Sequence, residues 1–269
     1  MTWNPLSLLC ASTLLVGLGS GLPQQEQVLE PNSGRAFPIR LRAHAGRDLH
    51  TLVGTGIRTK TFLKVQVYAF GLYVDAPTAT SLLHAWAGRS ARDLELDESF
   101  YRELLEGRFA MTLRLVMTRD VDGGDMAEAF DDALRPRVER AAAELNMPGG
   151  EAALTRFRRY FDRELAKETE LLFSWLPDGT LVSSVQGEVK GEIRSAALCW
   201  ALFDVYLGAE PISKDGKKSL VSRFPGLLAG MGQRMGSERA CDPLASMTAQ
   251  SHAITLGESR CNDHTSRWR

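Results

Sequence analysis

Between Phe109 and Met117 every second residue is large and apolar. Phe109, Met111, Leu113, Leu115 and Met117 fall on one side of the run, with Thr112, Arg114 and Val116 on the other. A period of two fits an extended strand, whose side chains alternate between the faces of a sheet. The same period recurs where Phe37, Ile39 and Leu41 alternate with charged or small residues. It appears again where Leu63, Val65, Val67 and Ala69 alternate with Phe62, Lys64, Gln66 and Tyr68. Two later strands, 170–176 and 180–187, flank Pro177-Asp178-Gly179, which predicts a hairpin.

Helical spacing fills the gaps. Asp97 is placed to cap a helix over 98–106. Asp125 is placed to open a long one to Leu145, in which Met126, Phe130, Leu134 and Val138 recur and which Pro136 should kink or divide. Further helices are expected over 151–165, over 194–207 ending near Gly208, and over 217–231 with an interruption at Pro225. Strands that come first and last, with helices between and after them, predict an α+β fold whose sheet is covered by helices on one face.

The chain has 269 residues, enough for one such domain over 36–230 with additional segments on either side. Residues 1–22 hold no charged side chain and carry an apolar run from Leu6 to Leu18 followed by glycines. They are expected to be a signal peptide, which places the protein outside the cytoplasm, periplasmic or secreted, with no stable membrane span after cleavage. Residues 23–35 are polar and contain proline, as expected of a linker, and 231–269 show little periodicity, as expected of a disordered tail. Lys and Arg total 32 against 33 Asp and Glu, without a basic stripe, so nucleic acid is not an expected partner. Export would let Cys241 and Cys261 pair, whereas Cys199 reads as a buried apolar residue. Cys241, His252, Cys261 and His264 match no compact zinc spacing, so no metal is expected.

One charged residue stands out among the strands. Arg58 lies in the run Leu52 to Asp75, surrounded by glycines and strand-formers. A guanidinium is always charged and presents a planar fork of donors, so inside an apolar pocket it would grip a carboxylate or phenolate in fixed orientation. The alternative is a solvated arginine or an ion pair, with Asp75, Glu188 or Glu192 as partner. Gly54-Thr55-Gly56 lacks the third glycine and the strand-turn-helix setting of a dinucleotide site, so no cofactor is expected.

Gly54-x-Gly56-x-Arg58 followed by Val67-Tyr-Ala-Phe-Gly-Leu-Tyr73 resembles the opening of chalcone isomerases and their fatty-acid-binding relatives. The later half adds, in the family's order, Pro177-Asp-Gly-Thr-Leu181, Ile193-Arg-Ser-Ala-Ala-Leu198, Tyr206-Leu-Gly208 and Ser219-Leu-Val-Ser-Arg-Phe-Pro-Gly-Leu-Leu228. The resemblance implies an open-faced β-sandwich, in which a large antiparallel sheet carries a helical layer and a ligand cleft opens between them. It also implies that an arginine at position 58 holds the deprotonated hydroxyl of a chalcone during ring closure, where catalysis is mainly orientation and charge stabilisation.

The family's other positions map unevenly onto this chain. Its threonine falls on Tyr68, which keeps a hydroxyl. Its tyrosine and asparagine fall near Met126 and Ala133, neither of which donates a hydrogen bond from its side chain. Its substrate-contacting serine or threonine falls on Ser195. The resemblance therefore implies Arg58, Tyr68 and Ser195 as catalytic residues if the protein is an isomerase and as ligand-binding residues if it is a binder, and Met111 and Met126 join the ligand-binding set as flexible thioethers. Met117 is a further thioether suited to an adaptable wall, and Tyr101 or Tyr160 could supply a missing hydroxyl. The reading favoured here is a non-catalytic binder of a small amphipathic or aromatic acid. An isomerase is second, and a structural protein with a closed cleft is third.

Overall fold

The computed structural model describes residues 26–43, 48–60 and 65–230. Among these, β1 (Gln27–Leu29) and β2 (Ala36–Pro38) precede β3 (Arg40–Ala43), β4 (Asp48–Lys60) and β5 (Val65–Val74). Three short helices, α1 (Ala76–Leu82), α2 (Ala91–Leu96) and α3 (Glu98–Leu104), lead to β6 (Met111–Met117), α4 (Gly123–Glu144) and α5 (Gly150–Arg158). Then come β7 (Glu170–Trp175), β8 (Thr180–Val185), β9 (Glu188–Arg194), α6 (Ala196–Leu207) and α7 (Lys214–Leu220), with further helix over 224–230. Strands β3 to β9 form one antiparallel sheet in chain order. The fold is α+β, as the alternation predicts.

Turn chemistry sets the late hairpins. Gly179 takes φ +79° between β7 and β8, and the Thr180 N–H donates to Asp178 Oδ1 at 3.0 Å. Gln186 and Gly187 both have positive φ, the conformation of a two-residue turn, and they return the chain into β9. Sequence reading carried the last strand to Gly187 and missed β9. At the sheet edge β9 buries only Ile193, so it carries no alternating signal.

Both faces of the sheet are covered. On the inner face Phe130 of α4 packs against Phe157, Phe161 and Phe173 at ring-centroid separations of 5.0–5.7 Å. On the outer face Phe37, Leu52, Ala69, Tyr73 and Val116 form a second apolar cluster, against which Val28 of β1 packs. The expected linker is therefore corrected: residues 27–29 pair with 36–38 as a hairpin over this face. Glu30 anchors its turn, accepting the N–H of Ser33 at 2.8 Å and of Asn32 at 3.2 Å.

Helix boundaries also differ from expectation. Asp122, not Asp125, caps α4, accepting the N–H of Gly124 at 2.7 Å and of Asp125 at 3.2 Å. α5 ends at Arg158, short of the expected Leu165, and Leu165 instead pairs with Val121 in an isolated antiparallel bridge. Pro136 does not divide α4, which runs from Gly123 to Glu144 with the proline inside it. The last helical region breaks at 221–223, and Pro225 sits in the first turn of the helix that follows, where its missing N–H costs least. Among the described residues no helix is long and apolar enough to cross a membrane. The expected signal peptide, tail and cysteine pair lie outside the described residues.

Candidate functional site

Arg58 and Tyr68 are directly opposite each other on β4 and β5, and a register irregularity follows Arg58. Side chains at such positions share a face with Cβ atoms about 5 Å apart. Further along β4, Gly54 and Gly56 let α7 lie directly on the strand. A Cβ on Gly54 would collide with the backbone of Ser219 and Leu220, and one on Gly56 would come within 2.7 Å of the Phe70 ring. The glycine pair therefore serves helix-on-strand packing. α7 covers that stretch of β4, and the Arg58 end stays open.

At this end lies a cleft of about 700 Å³. Arg58, Lys60, Val67 and Tyr68 form its sheet wall, Arg119 and Val121 follow β6, and α4 contributes Met126, Phe130 and Ala133. Val205 and the loop residues Glu210 and Ile212 complete it. Asp125, Glu128 and Asp132 line the outer rim and are exposed, whereas Arg58 is half-buried and Tyr68 buried. Acidic groups thus stand at the mouth in water, and the guanidinium and phenol lie deeper.

Arg58 Nη1 donates to the Ile212 carbonyl at 3.1 Å. Among the described residues no carboxylate lies within ion-pair distance of it. Of the partners considered from sequence, Glu188 pairs with Lys190 and Asp75 accepts from the Thr78 hydroxyl. Glu192 stands on the far edge strand. The loop that Arg58 touches is also held by Arg137, which lines the same cleft. Its Nη2 donates to the Glu210 carbonyl at 2.6 Å and its Nε to Asp204 Oδ2 at 2.9 Å, and Arg140 reaches the same oxygen at 2.8 Å.

The Tyr68 hydroxyl is 3.0 Å from that of Tyr206, near the end of α6. Burial pushes the Tyr68 phenol above its usual range, partly offset by the Tyr206 hydrogen bond and the Arg58 charge. Burial raises Tyr206 further still. Both phenols therefore keep their protons at neutral pH, and a single guanidinium acts on both.

Of the five residues implied as ligand-binding, Arg58, Tyr68 and Met126 come together at the cleft. Ser195 and Met111 do not line it. Ser195 caps α6, its Oγ accepting the Leu198 N–H at 3.2 Å. Tyr206 is eleven positions further along the helix, about 16 Å away at the usual rise. Met111 is fully buried opposite Val74 and Trp175, at the other end of β6 from the Tyr68 partner Met117, about 20 Å away along the strand. Tyr101 donates to the Glu95 carbonyl at 3.3 Å and Tyr160 packs on Phe157, so neither hydroxyl reaches the cleft. Sequence reasoning missed Tyr206 as a site residue. Its signal was the one hydroxyl within the apolar helix 196–207, which a buried tyrosine has to satisfy. Among the described residues no cluster of His, Cys, Asp or Glu could hold a metal ion.

A curved antiparallel sheet with a helical layer and an arginine-based cleft between them defines an α+β open-faced sandwich. A sequence profile described as chalcone isomerase like matches residues 48–221, and the chain belongs to this family. It is 29% identical over 210 residues to fatty-acid-binding protein 2 of Arabidopsis thaliana, covering 75% of this chain but 52% of that relative, about half its length. It is 30% identical over 223 residues to a chalcone–flavanone isomerase of Hordeum vulgare, covering 78% of this chain and 94% of that one. The crystal structure of an Arabidopsis thaliana fatty-acid binding protein superimposes with a TM-score of 0.65 at 24% identity, covering 76% of this chain and 100% of that one.

Proposed function

We propose that the protein binds a small amphipathic anion, a fatty acid or an aromatic acid, without chemically changing it. The headgroup rests on Arg58 and Tyr68, and the apolar part runs along Val67, Val121, Met126 and Phe130. The observation that carries this reading is a half-buried guanidinium with donors left over, beside a cleft of about 700 Å³. Such a cleft falls within the ordinary size range of small-ligand pockets. Fatty-acid-binding relatives in the same family support the ligand class. The structural reading needs a carboxylate on Arg58 and a filled cleft, and neither is present among the described residues.

A second reading, ring closure of a phenolic chalcone, draws support from the Hordeum isomerase. Against it, α4 presents Met126 and Ala133 to the cleft, where the resemblance to isomerases calls for a hydroxyl and an amide. Loss of one well-placed donor typically costs about 3 kcal/mol of transition-state stabilisation. Native mass spectrometry with added palmitic or cinnamic acid tests the binding reading. A bound acid in wild type that disappears in Arg58→Ala is the expected result, and no bound acid under saturating palmitic acid overturns it. A wild-type rate of chalcone absorbance loss above buffer, abolished in Arg58→Ala, would favour the isomerase instead. Export is part of the proposal, and an intact residue 1 on the mature protein overturns that part.

A further inference from the structure

Tyr206 is 1% exposed, sits one residue before the end of α6, and is held edge-on by Phe70 at a ring-centroid distance of 4.9 Å. It does not line the cleft, yet its hydroxyl is 3.0 Å from that of Tyr68, which does. Among the described residues its hydroxyl makes no other hydrogen bond. A phenol has one proton to give, and two phenols in contact share one hydrogen bond between them. If Tyr68 were the donor, the Tyr206 proton would be stranded in apolar packing and would bear the full desolvation cost of an unpaired donor. If Tyr206 is the donor, the proton of Tyr68 is free to point into the cleft, where solvent or a ligand accepts it.

We infer that Tyr206 is a positioning residue that makes Tyr68 a donor to the cleft, so that the headgroup site selects acceptor-only acids over neutral alcohols of the same chain. The inference rests on the binding reading above. The other group at the head of the cleft, Arg58, has donors only. The Ile212 carbonyl, a backbone acceptor beside it, already receives Arg58. A carboxylate or phenolate accepts from both groups and brings no proton of its own to place. An alcohol brings a proton of its own, and the acceptors beside the headgroup site, the Tyr68 oxygen and the Ile212 carbonyl, each already hold one hydrogen bond. Burial keeps both phenols protonated, so the arrangement persists through neutral pH.

The test compares palmitic acid with cetyl alcohol, each displacing a fluorescent fatty acid from the full-length protein, in wild type, Tyr206→Phe and Tyr68→Phe. Wild type is expected to prefer the acid by roughly tenfold to a hundredfold, the range of hydrogen bonds to a charged group. In Tyr206→Phe the Tyr68 hydroxyl can turn and accept, so the preference should narrow by roughly fivefold, with weaker acid binding and tighter alcohol binding. A general loosening of the fold would lower both affinities together and leave the ratio unmoved. Ring-fluorinated tyrosine at position 206 donates more strongly without changing the packing, and should widen the preference. An acid-to-alcohol ratio unchanged in Tyr206→Phe, with palmitic acid still bound, overturns the positioning role and leaves the binding reading standing. A wild type that binds neither compound overturns both.

Discussion

Arg114 on β6 and Arg58 on β4 are set into opposite faces of one sheet, and their surroundings differ. On the outer face Arg114 pairs with Glu170, donates to the Ala36 carbonyl at 2.9 Å and stacks over the Phe37 ring at 5.0 Å. On the inner face Arg58 has one carbonyl partner and an open cleft. Both side chains carry the same charge and the same fork of donors. Where a carboxylate, a carbonyl and a ring complete the set, the arginine ties a hairpin to the sheet. Where the set is incomplete, the remaining donors are available to a guest. The inventory of partners, more than burial itself, separates a structural arginine from a binding one.

The contrast is sharpened first by Arg114→Ala. It strands the partly buried Glu170 and uncovers Phe37, so urea denaturation should show a loss of about 1.5–3 kcal/mol, the range of hydrogen bonds to a charged group, with palmitic acid affinity unchanged. A loss of affinity there would break the division between the two faces. Arg58→Ala should behave in the opposite way. Removing a charge-assisted contact should weaken carboxylate binding by about 1.5–3 kcal/mol in a titration, while the unfolding free energy from urea denaturation falls by less than about 1 kcal/mol. A protein that unfolds on this change would place Arg58 with Arg114 as a structural arginine.

Alkaline pH gives the next effect. Burial raises the folded-state phenols of Tyr68 and Tyr206 above their unfolded range, so the unfolded chain holds fewer protons than the native one once pH passes about 10. Their contribution to stability is fully present below that point. It should then fall by about 1.4 kcal/mol per pH unit for each phenol held neutral until the folded groups ionise. Urea midpoints from neutral pH upward check this, and Tyr206→Phe should flatten the decline. The smallest effect belongs to Ser195→Ala, which removes a helix cap worth about 1 kcal/mol and should leave ligand affinity untouched. A drop in affinity would restore Ser195 to the site.

Much of the fold was readable because its signals are local. The period-two run ending at Met117 can only be a strand, and Pro177-Asp178-Gly179 can only be a turn, since each depends on backbone geometry a few residues wide. β1 and β9 were missed for the same reason: three residues beside a loop and an exposed edge carry no pattern of their own. The site was half readable. Arg58 could be named as a charge among glycines and strand-formers and Tyr68 through the resemblance to the family, and the strand pair sets the two opposite each other.

The sequence by itself determined most of the strands and helices and the α+β class, through periodicity and turn residues that act over short distances, and its motifs carried the resemblance to the family. Long-range packing decided which end of each element meets the cleft. Ser195 and Tyr206 lie on or beside the same helix, yet the first closes its N-terminus and the second reaches Tyr68. That assignment depends on where α6 crosses a sheet of fixed strand order, and no spacing along the chain encodes it. The partners left to Arg58 were decided in the same way. A guanidinium binds a guest only after every carboxylate within reach has been placed elsewhere, and that depends on all the neighbouring elements at once.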